Sequence, residues 1–182
     1  SIDIFYTEIP KMDIYEKIKA VNVVGGQGKK LAIDDIIRRD NINVNNMLYI
    51  GDSITDVEPL AFARANNGVS ISFNGNEYPL KVAEIAIVSP SAVTTAVIAD
   101  VYAKNDKGKV LEFIDDYNIS KDYEKLLDDY NIDENIKNRF FSIFKDEYPL
   151  IKIITDENYE EILKVSKEMR NNIRGQDIGE LG

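Results

Sequence analysis

Apolar residues in the first hundred positions come in two kinds of run. Met47-Leu48-Tyr49-Ile50, Val69-Ser70-Ile71-Ser72-Phe73 and Glu84 to Val88 are short and bounded by turn residues, which predicts strands. The continuous run 47–50 reads as a strand buried on both faces. Between these runs apolar residues recur at helical spacing. Residues 10–20 predict a helix started by Pro10, with Ile14 and Ile18 on one face. Val21 to Val24 is a further short apolar run, ending in a turn at Gly25-Gly26-Gln27-Gly28. Lys29 to Arg39 predicts a helix whose buried stripe is Leu31, Ala32 and Ile36, flanked by Ile33 and Ile37. Further helices are expected over 58–66 and 91–103, the second capped by Ser89, Pro90 or Ser91. Alternating strands and helices predict an α/β fold, a Rossmann-like parallel sheet flanked by helices.

Beyond residue 104 the pattern becomes helical. Val110, Ile114 and Tyr117 share a face, as do Tyr123, Leu126, Leu127 and Tyr130, and Ile136, Phe140, Ile143 and Phe144. Residues 149–154 predict one more strand. Thr155 is expected to cap a long helix striped by Tyr159, Ile162, Val165, Met169 and Ile173. The phrase Asp-Asp-Tyr-Asn-Ile at 115–119 and 128–132 is too closely spaced for a solenoid repeat; it predicts two helix ends, each with an Asn in the left-handed cap.

Charge divides the chain at the same place. Residues 1–104 carry 10 basic and 13 acidic groups, residues 105–182 carry 12 and 19, and the net charge is −10. Three parts are therefore expected: a leading segment 1–21, an α/β part 22–104, and an acidic helical extension 105–182. So acidic a surface repels phosphate backbones and anionic lipid, so neither nucleic acid nor a membrane is an expected partner. No stretch is apolar enough to span a bilayer, and a cytoplasmic setting is expected. The first residue is Ser, which suggests that the chain begins within something longer or after processing. With 0 His and no Cys in this sequence, thiolate or imidazole chemistry is excluded. Carboxylates, lysines, arginines, hydroxyls, backbone amides and a bound cation are what remain.

The segment Ile50-Gly51-Asp52-Ser53-Ile54-Thr55-Asp56 carries the strongest chemical signal. A strand delivers Asp52 and Asp56 to its carboxyl end, where open α/β sheets bind ligands. Gly51 permits the sharp turn, and Ser53 adds a hydroxyl. Two hard oxygen donors there suit Mg²⁺. The other reading is that Asp56 caps its helix and Asp52 satisfies turn amides. Upstream, Gly28-Lys29-Lys30 misses both nucleotide-loop spacings: Val23 and Lys30 occupy positions where a phosphate loop needs Gly and Ser or Thr, and Leu31 one where a dinucleotide loop needs Gly or Ala. What survives is Lys29 at a helix start, where orphan amides already favour an anion.

Lys29, the apolar strand, Asp52 lying 23 positions downstream, the Ala65-Asn66-Asn67-Gly68 helix end, and the strand ends at Asn74-Gly75-Asn76 and 81–88 together resemble the carboxyl-terminal half of the haloacid-dehalogenase superfamily core, over about residues 22–103. The C-terminal sequence and the helical extension are similar, more narrowly, to an archaeal predicted-phosphohydrolase group labelled subunit R of energy-converting hydrogenase A. The resemblance implies a Mg²⁺-dependent phosphatase acting through an aspartyl phosphate. In it Lys29 is catalytic and stabilises the phosphorylated aspartate, while Asp52 and Asp56 hold Mg²⁺. Gly28, Gly51 and Ser53 lie around the phosphate, and the substrate is a small phosphorylated molecule.

One departure is serious. The family's nucleophile opens an Asp-x-Asp-x-Thr segment, and the nearest match, Asp3-Ile4-Phe5-Tyr6-Thr7, has Phe5 where the second carboxylate belongs. The nucleophile is thus expected outside these residues, and this chain alone is expected to be inactive and to hold Mg²⁺ weakly. The competing expectation is a non-catalytic subunit that binds a protein partner through residues 105–182.

Overall fold

A computed structural model describes residues 7–13, 15, 25–145 and 147–179, with 174–179 as backbone alone. Helix α1 spans Gly26–Asp40 and strand β1 Leu48–Gly51, followed by α2 (Val57–Ala65), β2 (Val69–Phe73), α3 (Glu77–Val82), β3 (Ile85–Val88) and α4 (Val93–Lys104). The extension adds α5 (Lys107–Ile119), α6 (Tyr123–Asp129), α7 (Glu134–Ile143), β4 (Leu150–Ile153) and α8 (Tyr159–Gly179). Among the described residues the four strands form one sheet in the order β1-β2-β3-β4. The first three are parallel, with Gly51 opposite Ser72 and Phe73 opposite Ile87, and β4 runs antiparallel to β3. This is an α/β fold, a mostly parallel sheet flanked by helices.

The alternation of side chains along each strand sorts the two faces. Val69, Ile71, Ile85 and Ile87 face one way, into a cluster with Val97, Val101, Phe113, Ile114, Leu127 and Phe140 from α4–α7. Ala86 faces the other way, beside Leu80 of α3 and Ile162 of α8. The main cluster runs from Val69 to Ile151, so the extension shares one core with the α/β part. Its helical stripes are buried in part: Tyr117, Leu127, Phe140, Phe144 and Ile162 are all under a tenth exposed, whereas Tyr123, Ile136, Ile143, Tyr159, Val165, Met169 and Ile173 are half-buried.

Several expectations need correction. The run 47–50 is not buried on both faces: Ile50 is exposed, and among the described residues β1 pairs only with β2. Gly26–Gly28 form the first turn of α1 rather than a loop. The α1 stripe read as Leu31, Ala32 and Ile36 faces outward; Leu31 is 66% exposed, Ala32 and Ile36 are exposed too, and Ile33 and Ile37 are half-buried, because α1 rests on α2 and the 54–56 turn rather than on the sheet. The long helix starts at Tyr159, four positions past Thr155, after a turn in which Asn158 accepts from the Thr155 amide. Of the twin Asp-Asp-Tyr-Asn-Ile phrases, only the second ends in a left-handed Asn, Asn131 at φ 52°. Asn118 stays in α5, and its amide donates to the carbonyls of Ile114 and Ile151, tying α5 to β4. Most of the expected helix 10–20 and the run 21–24 lie outside the described residues; a 3₁₀ turn covers Ile9–Lys11.

Candidate functional site

Carboxyl ends of three parallel strands meet at one edge of the sheet, and the candidate residues gather there. The β1 exit is tight. A Cβ on Gly51 would stand 2.3 Å from the Asp56 Cβ, so only glycine lets the 3₁₀ turn Ile54–Asp56 fold back against the strand tip. That fold-back drives the Asp56 carboxylate inward. It is 5% exposed.

Five donors surround it. Lys29 Nζ donates to Oδ1 at 2.7 Å and the Tyr49 hydroxyl to Oδ1 at 2.9 Å. The amides of Asp52 and Ser53, both at 3.2 Å, and the Ser53 hydroxyl at 3.0 Å donate to Oδ2. Burial by itself would raise the Asp56 pKa, but Lys29, Tyr49, Ser53 and the Asp52 amide together hold it below the ordinary value of 3.8. Burial, then the Asp56 carboxylate, pushes the Tyr49 phenol up.

Lys29 comes from the first turn of α1 and also donates to the Thr55 hydroxyl at 3.0 Å. An ammonium has three donors, so two are spent on the 54–56 turn and one is left to a ligand. Lys30, one position on, points elsewhere: it pairs with Asp34 and lies over the Phe62 ring. Gly28 sits beside Lys29 in that first turn, which no side chain caps.

Asp52 behaves differently from Asp56. Its side chain is 56% exposed, and its Oδ2 accepts from Arg170 Nη1 at 3.0 Å. Two carboxylates expected to share one cation are thus divided between two internal cations, Lys29 and Arg170. Among the described residues no three acidic side chains converge as a metal cage. As a donor set for Mg²⁺, Asp52 fits: it is a half-open carboxylate at a strand tip with room for waters, which is how Mg²⁺ is commonly held. Asp56 does not fit as a direct ligand, because both oxygens are already saturated. Asp3, Phe5 and the rest of the nearest nucleophile match lie outside the described residues, apart from Thr7.

Four residues here escaped the sequence reading. Tyr49 looked like one more apolar strand residue, and Thr55 like filler between the two aspartates. Asn74 sits at φ 46° at the end of β2, its side chain bonding the backbone of Ser89 at both the amide and the carbonyl. Arg170 lies 118 positions from Asp52, and no local pattern marks it.

The whole defines an α/β protein with a charged constellation at the carboxyl edge of its parallel strands. In fold it is similar to gene product AF1437 from Archaeoglobus fulgidus, with a TM-score of 0.57 and 24% identity over 96% of this chain. The match takes in 47% of that protein, so this chain spans about half its length. No family model and no curated protein matches the sequence. Among the described residues, no helix is long and apolar enough to cross a membrane.

Proposed function

We propose that this chain is the carboxyl-side part of a phosphohydrolase of the haloacid-dehalogenase type, supplying the phosphate-side lysine and one metal carboxylate. The observation that carries this reading is the anchoring of Lys29. Its ammonium is fastened to Asp56 at 2.7 Å and Thr55 at 3.0 Å, at the strand edge where α/β sheets bind ligands. Lys30, its neighbour, pairs with Asp34 and covers the Phe62 ring, away from the strand tip.

In this reading Lys29 holds one phosphoryl oxygen through its remaining N–H and neutralises charge as the phosphorus–oxygen bond breaks. Asp56 keeps the ammonium fixed, so no reorientation is needed during reaction. Gly28 and the first turn of α1 add unclaimed backbone dipole toward the same anion. Mg²⁺ bound at Asp52 would supply further charge neutralisation at the phosphoryl oxygens. The attacking aspartate belongs to residues beyond those described. Packing of α5–α7 and β4 into the common core favours this reading over that of a subunit whose extension serves chiefly as a docking arm.

The test is a phosphatase assay on the whole protein with a generic aryl phosphate and MgCl₂, wild type beside Lys29→Ala. Turnover lost on removing Lys29 supports the proposal. No turnover by the wild type, or equal turnover by both, overturns it.

A further inference from the structure

The long helix α8 is tied to the candidate site along one face. Ser166, buried, donates to the Gly75 carbonyl at 2.7 Å. One turn on, Arg170 Nη1 donates to the Asn74 carbonyl at 2.7 Å, to the Asp52 carbonyl at 2.9 Å and to Asp52 Oδ2 at 3.0 Å. Residues four apart share a helix face, so these two side chains clamp the loops leaving β1 and β2 as a unit. The Arg170 side chain is only 14% exposed. Against it stands a carboxylate that is more than half exposed.

We propose that Arg170 is a positioning residue and internal counter-cation of this site: it orients the Asp52 carboxylate and lowers that carboxylate's affinity for a free divalent cation. The inference rests on the reading of Asp52 as the metal carboxylate. Two carbonyl bonds fix the guanidinium regardless of what Asp52 does, so its charge does not leave when a cation arrives. A dication reaching Asp52 meets that fixed positive charge and is repelled. A phosphate ester arriving with Mg²⁺ brings negative charge that offsets the repulsion. Arg170 thereby makes tight metal binding depend on the anionic substrate, and it lets the helical extension, not the α/β part alone, set that dependence.

The sign of the effect separates this from a merely structural role. Arg170→Gln keeps a polar side chain and removes the charge, its amide ending two bonds short of the Nη1 position; Arg170→Lys keeps the charge. Calorimetric titration of the full chain with MgCl₂, without phosphate, is expected to give binding about tenfold tighter for Arg170→Gln than for wild type, and unchanged for Arg170→Lys. Weaker or equal binding by Arg170→Gln, or no binding by any form, overturns the inference. If Arg170→Gln fails to fold by circular dichroism, Arg170→Met in its place, read the same way, decides the point. Asp52→Asn is the control for the underlying reading. Mg²⁺ binding that survives Asp52→Asn sinks the assignment of Asp52, whereas binding that needs Asp52 but ignores the charge at 170 sinks this inference alone.

Discussion

Lys29 Nζ lies 2.7 Å from Asp56 Oδ1, and the two residues are 27 positions apart in the chain. The bond joins the first turn of α1 to the turn that follows β1, so a single ion pair fixes both the helix and the strand tip. Removing Asp56 leaves the half-buried Lys29 ammonium and the amides of Asp52 and Ser53 without their common acceptor. Asp56→Ala should therefore lower stability by about 2–4 kcal/mol, which urea denaturation followed by circular dichroism will read. A change below half a kilocalorie would mean that the Lys29 ammonium and the freed amides of Asp52 and Ser53 are rehydrated at little cost.

Asp52 sits on the open side of the same turn. Asp52→Asn should leave the urea midpoint close to wild type, since surface substitutions of this kind stay within about 0.5 kcal/mol. Phosphatase turnover of the full-length protein should fall to background. Full activity in the amide variant would remove Asp52 from the chemistry.

The two adjacent lysines give an internal comparison. Lys29→Ala should abolish most turnover, whereas Lys30→Ala loses a half-buried i, i+4 pair with Asp34, away from the strand tip, and should retain most of it. Equal losses from the two would show that the helix start is wrongly registered against the site.

The extension is load sharing with the sheet. Phe113 and Phe140 are fully buried in the same cluster as Ile71 and Ile87, so Phe113→Ala should cost about 3–5 kcal/mol and should expose the α/β part to protease as well. Limited proteolysis of the wild type should spare residues 107–170. Rapid trimming of everything after 105, with the sheet left intact, would contradict the shared core.

Tyr117 links stability to alkaline pH. It is buried, its hydroxyl donates to the Pro149 carbonyl at 2.9 Å, and burial, reinforced by Tyr123 and Tyr148, pushes its phenol well above the ordinary value of 10.0. A raised folded-state pKa contributes stability that is complete below the unfolded value and is lost as pH rises past it. Stability should decline above about pH 10, and Tyr117→Phe should flatten that decline. Identical alkaline limbs for the two proteins would show that another group governs it.

Hydrophobic periodicity determined most of the architecture. Strands at 48–51, 69–73, 85–88 and 150–153 and the stripes of α5–α8 follow from side-chain spacing, because burial against one face selects the same period in any globular setting. Spacing from Lys29 to the aspartates likewise pointed to the strand edge, since a helix, a loop and a strand of those lengths leave little choice of where their ends fall. Periodicity says which face of a helix is apolar but not what covers it. Leu31 and Ile36 therefore read as core and stand in the open, and Tyr49 reads as core and serves Asp56. The two aspartates were alike in sequence. Only tertiary structure separated them, turning Asp56 inward over Gly51 to Lys29 and giving Asp52 to Arg170, because ion pairing between distant segments depends on three-dimensional approach, which no local pattern encodes.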